Sequence, residues 1–153
     1  MEGCTQAVAA RVLEHDTRLV VMSGGAEGWD ELLARVAMRL GVRLHLALPN
    51  KGYIGHYWGR ASLLGRDRTA EFAGIQAYAE KTTYVMEQVH GTKQLKLDGL
   101  HANFWRNHWM IDQADEFLVW DPSSKGTAHC LAEIKKAVTA FEVLSPEPAT
   151  LPL

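Results

Sequence analysis

The sequence predicts an α/β three-layer sandwich around a mainly parallel sheet, and three observations carry that expectation. Short apolar runs alternate with segments whose apolar residues recur at helical spacing, the order that builds β-α-β units. Two of those runs lead through polar or glycine-bearing turns directly into helical segments, as parallel strands do. The 153 residues, 47% hydrophobic and 22% charged, suit a single core rather than two. One domain is therefore expected over residues 1–145, followed by a loose tail at 146–153 that holds Pro146, Pro148 and Pro152.

Residues 6–13 are helical in pattern and precede the first strand. A domain of this class ordinarily begins with a strand, so either the sheet is a strand short or another segment or a partner chain covers its edge. Leu19-Val20-Val21-Met22 reads as a buried parallel strand entering the turn Ser23-Gly24-Gly25. A helix is expected over 29–40, where Leu32, Leu33, Val36, Ala37 and Leu40 share one face and Gly41 ends it. Residues 42–48 alternate and stop at Pro49, a second strand. Residues 50–65 hold four glycines and read as a loop with a short helix at its end. A helix over 68–80 follows, then a strand over 81–88 on the strength of Thr82-Thr83-Tyr84-Val85. The polar stretch 91–99 reads as a mobile loop and 103–114 as a helix. Glu116-Phe117-Leu118-Val119-Trp120 is a strand ended by Asp121-Pro122, 127–140 a helix and 141–144 a last strand.

Composition excludes several functions. No run of about 18 uncharged apolar residues is present, so a membrane span is not expected. Charged residues interrupt any secretory signal, and Cys4 and Cys130 form neither a zinc pattern nor a disulfide framework, which points to a reducing cytoplasm. The net charge of -2 speaks against a protein that grips long nucleic acid by its phosphates. The charge is unevenly spread, with -1 over residues 1–50, +3 over 51–110 and -4 over 111–153, and a mildly basic middle suffices for a small anion. The seven histidines show no spacing of metal ligands, and no metal or other cofactor is implied.

The chemistry is expected at the carboxyl ends of the strands, where open parallel sheets bind ligands. The first turn runs Ser23-Gly24-Gly25-Ala26-Glu27-Gly28-Trp29-Asp30, and the second runs Asp121-Pro122-Ser123-Ser124-Lys125-Gly126-Thr127-Ala128-His129. Glycines let backbone approach a ligand, and the N–H groups of the following helix favour an anion. Each turn alone also serves as a plain connection; the pair on one sheet edge is what suggests a phosphate or ribose site. Neither is a Walker loop or a dinucleotide fingerprint. Arg106 is suited to a bidentate grip on a phosphate or carboxylate, and Asn107 either caps its helix or bonds a base edge or ribose hydroxyl. Tyr53, Tyr57 and Trp58 in the loop either stack on a base or pack internally. The candidate ligand residues are Ser23, Gly24, Gly25, Asp30, Trp58, Arg106, Asn107, Gly126 and Thr127.

In this order the motifs Ser23-Gly24-Gly25-Ala26 with Gly28 and Asp30, Arg106-Asn107-x-x-Met110 with Asp112 and Asp115, Asp121-Pro122 and Gly126-Thr127 resemble the SLOG superfamily. These are the Rossmann-like domains related to DprA, to the LOG phosphoribohydrolases and to YpsA-like proteins, with the YpsA-like branch nearest; the resemblance spans about residues 17–145. It implies a nucleotide-derived ligand held between the two turns, with contacts from Gly24, Gly25, Asp30, Arg106, Asn107, Gly126 and Thr127. The LOG enzymes cleave an N-glycosidic bond with an Arg-Lys-x-x-Met segment and a Glu three residues after the Gly-Thr pair. Here Arg106 and Met110 match, Asn107 replaces the Lys and Cys130 replaces the Glu, with Glu133 one helical turn later. Three readings stay open: a nucleotide-binding sensor or sequestering protein, an N-glycosidic-bond-cleaving enzyme using Glu133 or Asp30, and a DprA-like binder of single-stranded DNA. A homo-oligomer is expected, because the chain is rich in Trp and a sheet edge lacks a strand.

Overall fold

A computed structural model describes residues 2–14, 19–89, 102–120 and 140–144, together with Ala132 and Lys135. The second glycine turn, the helix expected over 127–140, the loop 91–99 and the tail 146–153 fall outside the described residues, apart from those two positions and the start of the last strand.

The described elements follow one another as α1 (Glu2–Leu13), β1 (Val20–Ser23), α2 (Trp29–Leu40), β2 (Arg43–Leu48), a π-helical turn (Gly55–Arg60), α3 (Thr69–Tyr78), β3 (Lys81–Tyr84), α4 (Val85–Val89), α5 (Ala102–Gln113), β4 (Glu116–Trp120) and β5 (Ala140–Leu144). β1, β2 and β3 lie side by side in that order as a parallel sheet, with Val21 opposite Leu44 and Leu46 opposite Thr82. The architecture is α/β and Rossmann-like. β4 and β5 form a second parallel ladder in which Phe117 faces Phe141. The Arg11 guanidinium of α1 ties to Glu116 of β4 at 2.6 Å.

The helix α1 stands where the ordinary pattern would put a strand; it packs on α2 and buries Val8 and Val12. α2 ends as its sequence requires. Gly41 takes φ 67°, its N–H bonds Met38 O and the Val42 N–H bonds Ala37 O, which closes the helix with the left-handed residue that glycine adopts most readily. The core joins Val8, Val21, Val36 and Ala37 to Leu44, Leu46 and Leu48 of β2 and to Phe72 and Ile75 of α3. β2 is the central strand, and its last three residues are all buried, as both faces of a covered parallel strand must be.

One element differs from expectation and another takes an unusual form. Residues 81–88 do not form one strand, because the chain turns into α4 at Val85. Val85 and Met86 are adjacent and both buried, which breaks the alternation of a half-exposed strand, and the Met86 N–H bonds Pro49 O. In the segment read as a loop with a short helix at its end, residues 55–60 form a π-turn, closed by the Ala61 N–H on His56 O at 2.7 Å, a span of five residues.

Candidate functional site

The turn after β1 sits at the carboxyl edge of the parallel sheet, and its conformation is fixed from several sides. Ser23 is fully buried; its hydroxyl donates to Asp30 O at 2.8 Å and accepts the Gly25 N–H at 3.3 Å. Gly25 has φ 74°, and a Cβ there would collide with Leu48 Cδ2. Its carbonyl accepts the Trp58 indole N–H at 2.8 Å. Gly28 leads into α2 with φ 91°.

Arg106 comes from α5, far along the chain, and its Nη1 donates to Gly24 O at 2.5 Å while its Nε donates to Asn107 Oδ1 at 3.4 Å. Both side chains are largely buried, at 8% exposure for each residue. Asp30, at the start of α2, accepts the Ala26 N–H on Oδ2 at 3.2 Å. A Cβ on Gly24 would lie 2.7 Å from Asp30 Oδ2 and 2.9 Å from Arg106 Nη1, so glycine is the residue that lets a carboxylate and a guanidinium both approach this point. The Tyr53 ring lies 5.9 Å from the Arg106 guanidinium carbon. Burial pushes the Tyr53 phenol above its ordinary range, against the opposing pull of Arg106.

Five candidate residues are thus gathered at one turn: Ser23, Gly24, Gly25, Asp30 and Arg106, with Asn107 alongside. Gly126 and Thr127 lie outside the described residues. Of the two places open to Trp58, stacking on a base or packing internally, it takes the second. It is 0% exposed, its N–H is committed to Gly25, Phe72 packs on it at 5.0 Å and the Arg68 guanidinium covers its ring at 4.8 Å. It holds the turn and offers no face to a ligand. Nor is the first turn an open nest of amides, since Ser23 Oγ and the Asp30 carboxylate take the N–H groups of Gly25 and Ala26.

Sequence reasoning missed the ion cluster beneath the turn. The Arg68 Nη1 donates to Glu27 Oε2 at 2.6 Å, and Nη2 donates to Glu31 Oε2 and to Glu71 Oε2, each at 2.7 Å. Glu27 also accepts from Ser62 Oγ at 3.0 Å and the Leu63 N–H at 2.8 Å. Burial is the largest single influence and would raise Glu27 and Glu31; the hydrogen bonds from Arg68, joined by those of Leu63 and Ser62 on Glu27 and of Arg35 on Glu31, together with the charge attraction, outweigh it and hold both below the ordinary carboxylate range. The same carboxylates hold Arg68 above its ordinary value. The local signal was the spacing of Arg68 and Glu71, three residues apart at the start of α3; beside them the Asp67 carboxylate accepts the Thr69 N–H at 2.9 Å.

Next to the turn, the residues after β2 enclose a cleft of about 260 Å³ bordered by Pro49, Asn50, Tyr53, His56, Tyr57 and, from α5, Asn103. Among the described residues no group of three His, Cys, Asp or Glu could hold a metal ion, and no helix is long and apolar enough to cross a membrane. Comparison of the chain with known protein families, with curated proteins and with solved structures finds no match.

Proposed function

We propose that this protein binds a small nucleotide or nucleotide-derived ligand at the carboxyl edge of its parallel sheet. One observation carries the reading: Arg106 and Asp30 converge on Gly24 with no side chain between them. A guanidinium there attracts an anion, and a carboxylate accepts hydroxyl hydrogens, as an acidic residue does from a ribose in dinucleotide-binding sheets. A ligand with both a charged group and a diol answers both. Asp30 repels a phosphate from the first turn itself, so the reading assigns the phosphate to the far side of Arg106 and the ribose to Asp30. The resemblance to the SLOG superfamily supports the same assignment, because its motifs include Gly24, Asp30 and Arg106.

Isothermal titration against nucleoside monophosphates, ADP-ribose and cyclic nucleotides tests it. Binding is expected, with Arg106→Gln weakening it roughly tenfold or more, since a hydrogen bond to a charged group is worth about 1.5–3 kcal/mol. No binding at millimolar ligand, or an Arg106→Gln protein that folds and binds as well as the parent, would overturn the proposal. A second reading, hydrolysis of an N-glycosidic bond, draws on the Asp30 carboxylate beside Arg106. It predicts release of free base from nucleoside monophosphates, lost in Asp30→Asn.

A further inference from the structure

The cleft beside the glycine turn has a wall unlike the turn itself. Among the described residues its lining holds tyrosine, histidine, asparagine, proline and glycine, with no Asp, Glu, Lys or Arg. The rings of Tyr53 and Tyr57 lie 4.7 Å apart at an angle of 35°, and His56 meets Tyr57 edge-on at 4.6 Å. The three are graded in exposure, with Tyr53 buried, Tyr57 half-buried and His56 exposed. The π-turn produces this arrangement: its wider winding sends Trp58 into the core while its neighbour Tyr57 borders the cleft. The amides of Asn50 and Asn103 border the same space. Two links join the cleft to the charged end of the site. Asn103 stands one helical turn before Arg106 on α5, and Tyr53, which lines the cleft, has its ring 5.9 Å from the Arg106 guanidinium carbon.

We infer that this cleft is a nucleobase subsite and that Tyr57, not Trp58, is the ring on which the base stacks; the inference rests on the proposed ligand reading of the Arg106 turn. An aromatic wall favours a flat heterocycle, because stacking needs only a ring face. Paired amides supply donors and acceptors for the edge of such a ring. The volume of about 260 Å³ lies just below the ~300–1,000 Å³ typical of pockets for drug-sized ligands, which suits one ring system with its sugar reaching toward Asp30. The nucleotide then spans the site with its base in the cleft, its ribose at Asp30 and its phosphate beyond Arg106.

The test compares nucleoside 5′-monophosphates of all four bases with ribose 5-phosphate by isothermal titration. The parent chain is expected to bind at least one monophosphate about tenfold or more tighter than ribose 5-phosphate, the scale of one stacked base. Tyr57→Leu should bring that ratio close to one while leaving the ribose 5-phosphate affinity unchanged, and Tyr57→Phe should keep it. If ribose 5-phosphate binds as tightly as every monophosphate, or if Tyr57→Leu preserves the ratio, the base subsite is wrong and the anion site stands. If neither class of ligand binds at millimolar concentration, the anion reading fails and takes this inference with it.

Discussion

Replacing Arg68 by methionine keeps most of the side-chain length over Trp58 and removes the charge on which three carboxylates converge. The Arg68 side chain is 7% exposed, Glu27 is 5% and Glu31 is 14%. Removing one partner from a buried ion pair costs about 3–5 kcal/mol, because the remaining charge stays desolvated. Here each carboxylate keeps a reserve. Glu27 retains Ser62 and the Leu63 N–H, Glu31 retains Arg35 at 2.9 Å and Glu71 retains Arg66 at 2.6 Å. The loss should therefore fall near the low end, about 3 kcal/mol. For a chain of this size 1 kcal/mol moves the melting midpoint by about 2–4 °C, so Arg68→Met should melt roughly 6–12 °C below the parent. Circular dichroism melts at pH 7, with guanidinium unfolding as a second measure, read the effect. A shift under about 2 °C would mean that the cluster is solvated in solution, and the argument that it anchors the turn would fail.

Three further outcomes are expected. Glu27 and Glu31 are held below their ordinary values, so their stabilisation is present above the ordinary glutamate value of about 4.3 and is lost as pH falls through their lower folded values. Melts between pH 7 and pH 3 should show stability falling at the acid end, with a shallower fall in Arg68→Met; parallel curves would contradict this. Gly25→Ala meets both a φ of 74° and a collision with Leu48, whereas Gly28→Ala meets a φ of 91° with open space around it. The first should be the less stable by about 1–3 kcal/mol, the cost of overpacking, as read by urea unfolding; equal losses would show that the Leu48 contact relaxes freely. Trp58→Phe leaves the buried Gly25 carbonyl without its indole donor and should cost about 1–3 kcal/mol in thermal melts, with no change meaning that the carbonyl finds another donor.

The β1–α2–β2 unit was legible because every level of the sequence agreed. An apolar run precedes glycines, Leu32, Leu33, Val36, Ala37 and Leu40 mark one face, and Gly41 supplies the left-handed stop; the observed ends lie within a residue of the expected ones. Agreement failed where two buried residues stand side by side. Val85-Met86 fits a covered strand as well as a helix, and the Pro49 carbonyl that captures the Met86 N–H is thirty-seven residues away. The π-turn was hidden by its glycines. Gly24, Asp30 and Arg106 were legible as types suited to a ligand, but their convergence on one point depends on α5 packing against the turn, with Arg106 82 positions after Gly24. Glu27 and Arg68 escaped for the same reason, since 41 residues separate them and each alone reads as surface charge. Trp58 stayed undecided between packing and stacking because an aromatic near a glycine-rich segment looks the same in either case.

Two successive carbonyls of the first turn are held by side chains from different regions, Gly24 by Arg106 and Gly25 by Trp58. Peptide planes tied in this way have little rotation left to surrender on complex formation, so the ordering penalty of the loop is met during folding and not at the encounter. A guest should meet a finished mould, and stopped-flow traces should follow a single exponential whose rate rises linearly with guest concentration and never levels off at an isomerisation limit.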